Sequence, residues 1–256
     1  MRYDVFLCEI IRKKELAPGI FDFVVCCPAL ASLSEAGQFA NIRVEGKTLR
    51  RPISICDVDR GNGLLRFVIE VRGEGTDRLC QLESGQRMDL LAPLGNGFSL
   101  PEIKGTALFV GGGIGVPPLL YPAKQYGRGA TVILGFRSAA QSILIGDFAA
   151  AGCSVQVATD DGSMGHHGFV TDLIQQSLSQ QRPDIVYTCG PPLMLKAVAA
   201  LCEEKNIPCQ VSLEERMACG AGACLVCACK TVRDGGTVYR HVCKDGPIFD
   251  SREVVW

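Results

Sequence analysis

The spacing of apolar and polar positions changes near residue 101 and divides most of the chain into two parts. Before that point, short apolar runs alternate with polar residues at a period of two, and turns rich in glycine, proline and aspartate separate them. Such runs recur throughout residues 5–93, which predicts closely spaced antiparallel strands forming a small β-barrel. A short helix over residues 76–82 is predicted to interrupt the strands.

Beyond residue 101 the apolar runs alternate with stretches of helical character. The runs predict buried parallel strands over residues 107–112, 130–136, 154–159, 184–190 and 208–213. The stretches between them predict helices over residues 116–126, 143–151, 169–179 and 191–205. This alternation predicts a doubly wound α/β domain, whose ligand should lie at the carboxyl ends of the strands.

Composition narrows the class of protein. The chain has 256 residues, 47% of them hydrophobic, and a net charge of -1. This length can hold two domains with real cores and a small appendage, and the composition favours neither disorder nor nucleic-acid binding. The first fifteen residues alternate like a strand and soon carry charge, so they predict neither a signal peptide nor a membrane anchor. Fourteen cysteines favour a reducing, cytoplasmic location.

The last quarter of the chain contains a dense cysteine motif. Residues 217–230 read MACGAGACLVCACK, and one further cysteine follows at Cys243. Four residues separate Cys219 from Cys224, two separate Cys224 from Cys227, and fifteen separate Cys227 from Cys243. This is the plant-type spacing of a [2Fe-2S] ferredoxin loop, so these four cysteines are the candidate cluster ligands.

Two other uses of the motif remain open from the residues alone. A four-cysteine zinc site uses similar cysteines, although zinc ribbons favour two short pairs far apart in sequence. A disulfide framework is disfavoured by the predicted reducing location. Gly220 and Gly222 favour the cluster, because residues that accept positive φ let backbone N–H groups approach its sulfurs. Cys229 breaks the ligand spacing and is interpreted as a free thiol.

Two motifs in the barrel region have the residue types that bind phosphate. The first is a strand in which an arginine fork and a serine hydroxyl accompany a proline, at Arg51, Pro52, Ile53 and Ser54. The second is the turn GEGT, in which Gly75 and Thr76 open the predicted helix and offer backbone amides and a hydroxyl. Either motif alone is also typical of an ordinary strand or turn.

The α/β region carries glycine at two predicted strand ends. Residues 111–118 read GGGIGVPP, which does not match the GxGxxG dinucleotide fingerprint because Val116 and Pro118 stand where glycine is needed. The run still offers backbone that can approach phosphate closely, followed by a helix start. Cys189, Gly190 and Pro191 end another strand on the same rim.

In this order the motifs resemble the flavin-binding and nucleotide-binding domains of the ferredoxin reductase superfamily. The resemblance implies that one strand faces FAD, at Arg51, Pro52, Ile53 and Ser54. It implies that a second strand runs beside the flavin ring, at Val68, Ile69 and Glu70, and that Gly75 and Thr76 hold the pyrophosphate. It further implies a phosphate-lining loop at Gly111, Gly112, Gly113 and Gly115, with the catalytic Cys189 beside the nicotinamide, next to Gly190 and Pro191.

Over essentially its full length the chain resembles the electron-transfer subunits of type B dihydroorotate dehydrogenase. The resemblance rests on LRRPISI, RGEGT, APLGNGF, GGGIGVPPL, CGPPLMLKAV, LEERMACGAGACLVC and VCKDGPIF. It implies three domains: an FAD-binding barrel over residues 1–100, an NAD-binding domain over residues 101–213 and a [2Fe-2S] domain over residues 214–256. It also implies a heterotetramer, two plus two, with an FMN-containing catalytic subunit that oxidises dihydroorotate in pyrimidine synthesis. Electrons would run from FMN through the cluster and FAD to NAD+.

Some alternatives and roles stay open. The chain could instead be the small subunit of another NAD(P)H-dependent flavin and iron–sulfur oxidoreductase, of ferredoxin:NADP oxidoreductase or sulfite reductase type, or a redox-sensing protein without turnover. Arg137 could meet the 2′-phosphate of NADP, whereas the resemblance favours NAD. Glu70 would oppose an anionic reduced flavin. His166 and His167 are interpreted as loop residues without a carboxylate partner.

Overall fold

A computed structural model describes residues 3–102 and 105–256 of the chain. In the first of these ranges six antiparallel strands close into a barrel, in the order β1-β2-β5-β4-β3-β6. The strands are β1 (Asp4–Ala17), β2 (Ile20–Cys26), β3 (Phe39–Ile42), β4 (Arg51–Asp59), β5 (Leu64–Glu70) and β6 (Arg87–Leu94). The predicted antiparallel barrel is therefore confirmed.

Alternation along the strands fills the barrel interior. Ile10, Phe23, Ile55, Phe67 and Leu90 are almost fully buried and pack together in one apolar cluster. Because side chains point alternately to the two faces of a strand, the residues between them cover the outer surface of the barrel. The outer surface is where the other parts of the chain can pack.

Two short helices accompany the barrel, α1 (Pro28–Leu33) and α2 (Glu74–Cys80). The predicted helix start at residue 76 is wrong by two residues. The Thr76 hydroxyl oxygen accepts the backbone N–H groups of Arg72, at 2.8 Å, and Gly73, at 3.2 Å, which closes the first turn earlier in the chain. Helix α1 is too short to show helical periodicity in the sequence, and Pro28 occupies its first turn.

The α/β part has the five predicted parallel strands and a short sixth, β10, in the order β10-β9-β8-β7-β11-β12, with the antiparallel strand β15 (Ile248–Asp250) at one edge. The strands are β7 (Ala107–Gly112), β8 (Ala130–Phe136), β9 (Ser154–Thr159), β10 (His166–His167), β11 (Ile185–Cys189) and β12 (Cys209–Ser212). The helices are α3 (Leu120–Tyr126), α4 (Ile145–Ala150), α5 (Val170–Gln180) and α6 (Pro192–Glu204). No helix among the described residues is long and apolar enough to cross a membrane.

The strand order places a topological switch at β7. Successive strands β8 and β9 extend the sheet on one side of β7, whereas β11 and β12 extend it on the other. In an open α/β sheet, ligands bind in the crevice beyond the carboxyl ends of the strands at such a switch. The crevice here lies between the ends of β7 and β11.

His166 and His167 are not loop residues. They form the two-residue strand β10, parallel to β9, and His166 Nε2 lies 3.0 Å from Asp172 Oδ2. The sequence interpretation missed this carboxylate because it follows six residues later, at the start of α5. The contact lowers the pKa of the Asp172 carboxyl.

The C-terminal segment forms a two-stranded sheet, β13 (Ala228–Arg233) and β14 (Gly236–His241), and then β15 (Ile248–Asp250). Strand β15 pairs antiparallel with β12, with Val211 opposite Phe249. The end of the chain therefore completes the sheet of the α/β part and holds the cysteine segment against it.

Candidate functional site

The four candidate cluster cysteines form two pairs of thiols. Cys227 Sγ lies 3.3 Å from Cys243 Sγ, and both side chains are buried. Cys219 and Cys224 form the second pair, in which Cys224 lies close enough to Cys219 to help lower the pKa of the Cys219 thiol. A chain that must bind two irons needs two thiols at each, and this pairing provides them.

Backbone N–H groups of the loop point at the thiols, as the glycines predict. Gly222 N–H donates to Cys243 Sγ at 3.1 Å, and Ala221 N–H donates to Cys219 Sγ at 3.5 Å. Gly220 and Gly222 have φ values of 70° and 79°, in the left-handed region that favours glycine. The loop therefore wraps its amides around the sulfurs.

These donors separate the acidities of the thiols. Burial alone disfavours the Cys219 thiolate, but hydrogen bonds from Ala221, Cys224 and Ala223 outweigh it and lower the pKa of Cys219 to about 6. Burial, followed by the neighbouring Cys227, raises the pKa of Cys243 to about 12. Because bound iron requires thiolates, Cys219 is better prepared for metal binding than Cys243.

The arrangement fits a two-iron cluster better than a single zinc ion. Within residues 3–102 and 105–256, no three His, Cys, Asp or Glu side chains converge as one metal ion would require. Two thiol pairs joined by a shared loop instead match a group with two metal centres. All fourteen cysteines are described and free, so no disulfide framework forms.

The cysteine segment is attached to the outer surface of the barrel by two asparagines. Asn41 of β3 donates from Nδ2 to the Cys219 carbonyl oxygen at 3.5 Å. Asn96 donates from Nδ2 to the carbonyl oxygens of Lys244 and Asp245, at 3.1 Å each. The sequence interpretation named neither residue, because only the folded chain brings them to the cysteines.

Strands β4 and β5 separate where the flavin is predicted to lie. Their ladder begins at Ile55 opposite Phe67, whereas residues 51–54 pair only with β3 and residues 68–70 only with β2. The two stretches named by the flavin resemblance are therefore neighbours that do not hydrogen-bond to each other. The slot between them can accept a flat ring against two backbone edges.

Arg51 and Gly75 come together at the end of this slot. The guanidinium of Arg51 lies over Gly75, with its Nε only 2.3 Å from the position that a Gly75 Cβ would occupy. Arg51 Nη1 donates to the Leu49 carbonyl at 2.7 Å, which holds the guanidinium over the first turn of α2. The Thr76 hydroxyl already makes the hydrogen bonds that close that turn. Thr76 would therefore bind a phosphate through its backbone N–H.

The three residues of β5 differ in what they can offer a flavin. Ile69 faces the barrel core, and Val68 belongs to the apolar cluster that includes Val116 and other residues of the α/β part. Only their backbones remain to face a ring. Glu70 forms an ion pair with Arg72 at 2.5 Å, so its charge is offset and need not oppose a reduced flavin.

The two glycine motifs of the α/β part meet at the switch crevice. Gly111 of β7 lies opposite Cys189 of β11. Gly115 packs against the backbone of Cys189 and Gly190, and Gly112 packs against Pro191. Gly113, with φ of 52°, has no other atom within 4 Å of its Cβ position. Gly113 therefore leaves open space in which a ligand can approach the backbone.

Cys189 is a buried, protonated thiol. Burial raises the pKa of Cys189 well above its ordinary value, and the Glu214 carboxylate adds to the effect. Glu214 itself is solvent-exposed, yet the protein around it removes part of its hydration, which raises the pKa of its carboxyl, and nearby Arg72 partly opposes the rise. The Cys189 side chain is 1% exposed and lies in an apolar cluster, so a nicotinamide at the crevice would meet the backbone at the end of β11 rather than a thiolate.

Comparison with known proteins supports these assignments of fold and chemistry. Residues 214–255 match the family model of the iron-sulfur cluster binding domain of dihydroorotate dehydrogenase B. The dihydroorotate dehydrogenase B (NAD(+)) electron transfer subunit of Geobacillus thermodenitrificans is 43% identical over 255 residues, 96% of both chains. That of Desulforamulus reducens is 37% identical over 259 residues, 98% of both chains.

Solved structures agree on the fold. A structure of an NADH-dependent reduced ferredoxin-NADP oxidoreductase has a TM-score of 0.87 and 33% identity, covering 98% of this chain and 90% of that one. The ferredoxin reductase of carbazole 1,9a-dioxygenase has a TM-score of 0.70 at 21% identity, covering 81% and 68%, and shows the fold alone. The predicted fold class, oxidoreductase role and cofactor set of FAD, [2Fe-2S] cluster and NAD are confirmed. On identity over nearly its whole length, the chain belongs to the family of dihydroorotate dehydrogenase B (NAD(+)) electron transfer subunits.

Proposed function

We propose that this electron-transfer subunit takes electrons from an FMN-containing catalytic subunit and delivers them to NAD+, in a heterotetramer with two copies of each subunit. The observation that carries the proposal is the attachment of two thiol pairs to the outer surface of a barrel in which residues 51–54 of β4 and 68–70 of β5 are not paired with each other. A partner can then meet the cluster from outside while the nucleotide is bound at the switch crevice.

Each part of the chain has a separate task in this proposal. Cys219, Cys224, Cys227 and Cys243 hold the cluster. Arg51, Ser54 and the amides of Gly75 and Thr76 hold FAD, and the glycines beside Cys189 hold NAD(H). When bound, the flavin exchanges hydride with a nicotinamide and single electrons with the cluster. The same proposal divides the chain into three domains, over residues 1–100, 101–213 and 214–256. It also includes a cytoplasmic location, which the free cysteines support.

Replacing Arg51 with alanine is expected to weaken FAD binding roughly ten- to hundredfold, because a charge-assisted hydrogen bond contributes about 1.5–3 kcal/mol. Equilibrium dialysis or fluorescence titration of the flavin-free chain would measure the change. Arg233→Ala, at an exposed arginine of β13, is the control and should bind FAD normally. Unchanged affinity in Arg51→Ala would show that Arg51 does not contact the flavin.

The cluster loop presents apolar side chains to the partner. Leu225 and Val226 lie between the ligands Cys224 and Cys227 and are 76% and 52% exposed. Replacing Leu225 with lysine is expected to weaken association with the catalytic subunit about tenfold or more, as at other apolar anchors. Leu33→Lys, on α1, is the control for surface charge, and analytical ultracentrifugation of the mixed subunits is the measurement. Equal association of both variants would place the partner elsewhere.

One experiment tests the central proposal. The chain is purified anaerobically, its iron, sulfide and flavin are quantified, and NADH is titrated while the visible spectrum is recorded. About two irons per chain, flavin bleaching and then cluster reduction are expected. Zinc in place of iron, or a flavin that NADH cannot reduce, would contradict the proposal. Bound FAD without NADH oxidation by an artificial acceptor would instead indicate a redox-sensing protein.

A second candidate is the small subunit of an NADH-dependent ferredoxin-NADP oxidoreductase, which the 33% identity and the TM-score of 0.87 favour. Co-purification of partners from the native cell separates the two candidates. An FMN-bearing partner with dihydroorotate-dependent NAD+ reduction supports the first, whereas a partner that reduces ferredoxin without using dihydroorotate supports the second.

A further inference from the structure

Asn41 occupies a position between the predicted flavin strand and the cluster loop. It lies on β3, opposite Pro52 of β4 and Leu91 of β6, so its side chain shares the outer face of the barrel with theirs. Gly220 of the cluster loop covers this position, and Asn41 is only 1% exposed. A polar side chain is thus buried where two predicted redox sites meet.

The carboxamide of Asn41 has a defined orientation. Its Nδ2 lies 3.5 Å from the Cys219 carbonyl oxygen, a contact that only the donor end of the amide can make. Nδ2 is also the atom nearest to the position that a Cβ on Gly220 would occupy, at 2.6 Å. The positive end of the amide dipole therefore faces the cluster loop.

The opposite end of this amide has no partner. Asn41 Oδ1 is buried and has no hydrogen bond to any described residue. A buried amide left half-satisfied destabilises a fold, and an apolar side chain of the same size would avoid that cost. Packing therefore does not explain why residue 41 is an asparagine. The contact of its N–H end with the cluster loop explains it better.

We propose that Asn41 is a positioning residue that sets the reduction potential of the cluster, an inference that rests on the proposed function. Adding an electron makes the cluster and its four thiolates more negative, and the N–H end of a buried dipole stabilises that reduced form. Hydrogen bonds and charge around the sulfurs set the potentials of iron–sulfur clusters, and a dry environment strengthens the effect. Asn41 raises the potential of the cluster relative to that of the flavin.

Gly220 allows Asn41 to approach the cluster loop. Its φ of 70° disfavours other residues, and any side chain would collide with Asn41 Nδ2 at 2.6 Å. The missing side chain lets the amide approach the backbone that carries Cys219. The ligand Cys219 is therefore held by its own loop on one side and by the barrel on the other.

The test is an anaerobic redox titration of the isolated chain, monitored by the electron paramagnetic resonance signal of the reduced cluster. Asn41→Leu keeps the size of the side chain and removes its dipole, and Asn41→Asp keeps its shape but replaces the amino group with oxygen. We expect the equilibrium constant for cluster reduction to fall about three- to tenfold in Asn41→Leu and further in Asn41→Asp, a tenfold fall being 59 mV for one electron.

Asn96→Leu is the matched control, because Asn96 also joins the barrel to the cysteine segment but donates to carbonyl groups beyond Cys243. It should leave the potential unchanged even if the segment is held less firmly. Equal shifts in Asn41→Leu and Asn96→Leu, or full iron content with an unchanged potential in both Asn41 variants, would overturn the inference alone. Iron analysis precedes each titration, and a wild-type chain without a cluster would overturn the proposed function as well.

Discussion

Replacing Cys224 with serine is expected to abolish the [2Fe-2S] cluster while FAD remains bound at about one per chain. Serine is a poor ligand for iron, and the loss of one thiol leaves Cys219 without the second sulfur that its iron needs. The residues predicted to bind the flavin lie on β4, β5 and α2 of the barrel, and none of the contacts given above for them involves Cys224. NADH should still reduce the flavin, whereas electron exchange with the catalytic subunit should fall by about two orders of magnitude or more.

Iron, sulfide and flavin content per chain measure the effect. The matched control is Cys229→Ser, because Cys229 lies in the same segment, is half-buried and donates only a weak hydrogen bond to the Arg240 carbonyl, at 3.5 Å. This control should retain both the cluster and FAD. Two irons per chain in Cys224→Ser would refute its assignment as a ligand, and loss of FAD together with iron would refute the separation of the two sites.

Replacing Gly115 with alanine is expected to disable NAD(H) binding and leave FAD and iron in place. An alanine Cβ would lie 2.6 Å from the carbonyl carbon and oxygen of Cys189 and 2.6 Å from Gly190 Cα. These are backbone atoms of β11 and its end, so they cannot move aside as a flexible side chain would. The turn after β7 must shift instead, which should cost about 1–3 kcal/mol of stability, as overpacking does. We expect KM for NADH to rise about tenfold or more, since a turn displaced by an ångström loses its ligand contacts.

Steady-state oxidation of NADH with an artificial acceptor gives KM, and thermal unfolding gives the stability. Gly146→Ala is the control, because Gly146 lies in α4 and, apart from its chain neighbours and the backbone of its own helix, no described atom lies within 4 Å of its Cβ position. Alanine is favoured over glycine within a helix, so this control should be neutral or slightly stabilising. If Gly115→Ala keeps the wild-type KM, the nucleotide does not bind at the switch crevice.

The order of elements could be read from the sequence because it depends on local patterns. The predicted strands over residues 107–112, 130–136 and 154–159 have the bounds of β7, β8 and β9. Apolar periodicity reports the conformation of the residues that carry it, so these strands needed no knowledge of the fold. The start of α2 was wrong because a side chain acted against the pattern, the Thr76 hydroxyl placing that start at Glu74. The strand at His166 and His167 was missed because two residues are too few to show a period.

The residues of the candidate site likewise include some that the sequence could predict and some that it could not. The spacing along the chain sufficed to predict Cys219, Cys224, Cys227 and Cys243 as ligands, because a loop that wraps a cluster fixes how many residues lie between its thiols. The resemblance supplied the flavin and nucleotide residues, and their assignments stay predictions. The slot between β4 and β5 exists because the pairing of these two strands begins only at Ile55 and Phe67. The hydrophobic periodicity of the sequence does not show where such pairing begins.

The sequence alone therefore determined the kinds of element, their order and the cysteines that can hold a cluster. Only the tertiary structure decided that Asn41 lies under Cys219, 178 residues away in the chain, and that β15 completes the sheet of the α/β part. Local conformation follows from each residue and its near neighbours, whereas contacts between distant segments follow from the packing of all the surfaces that fold together. The contact between β3 and the cluster loop belongs to the second kind.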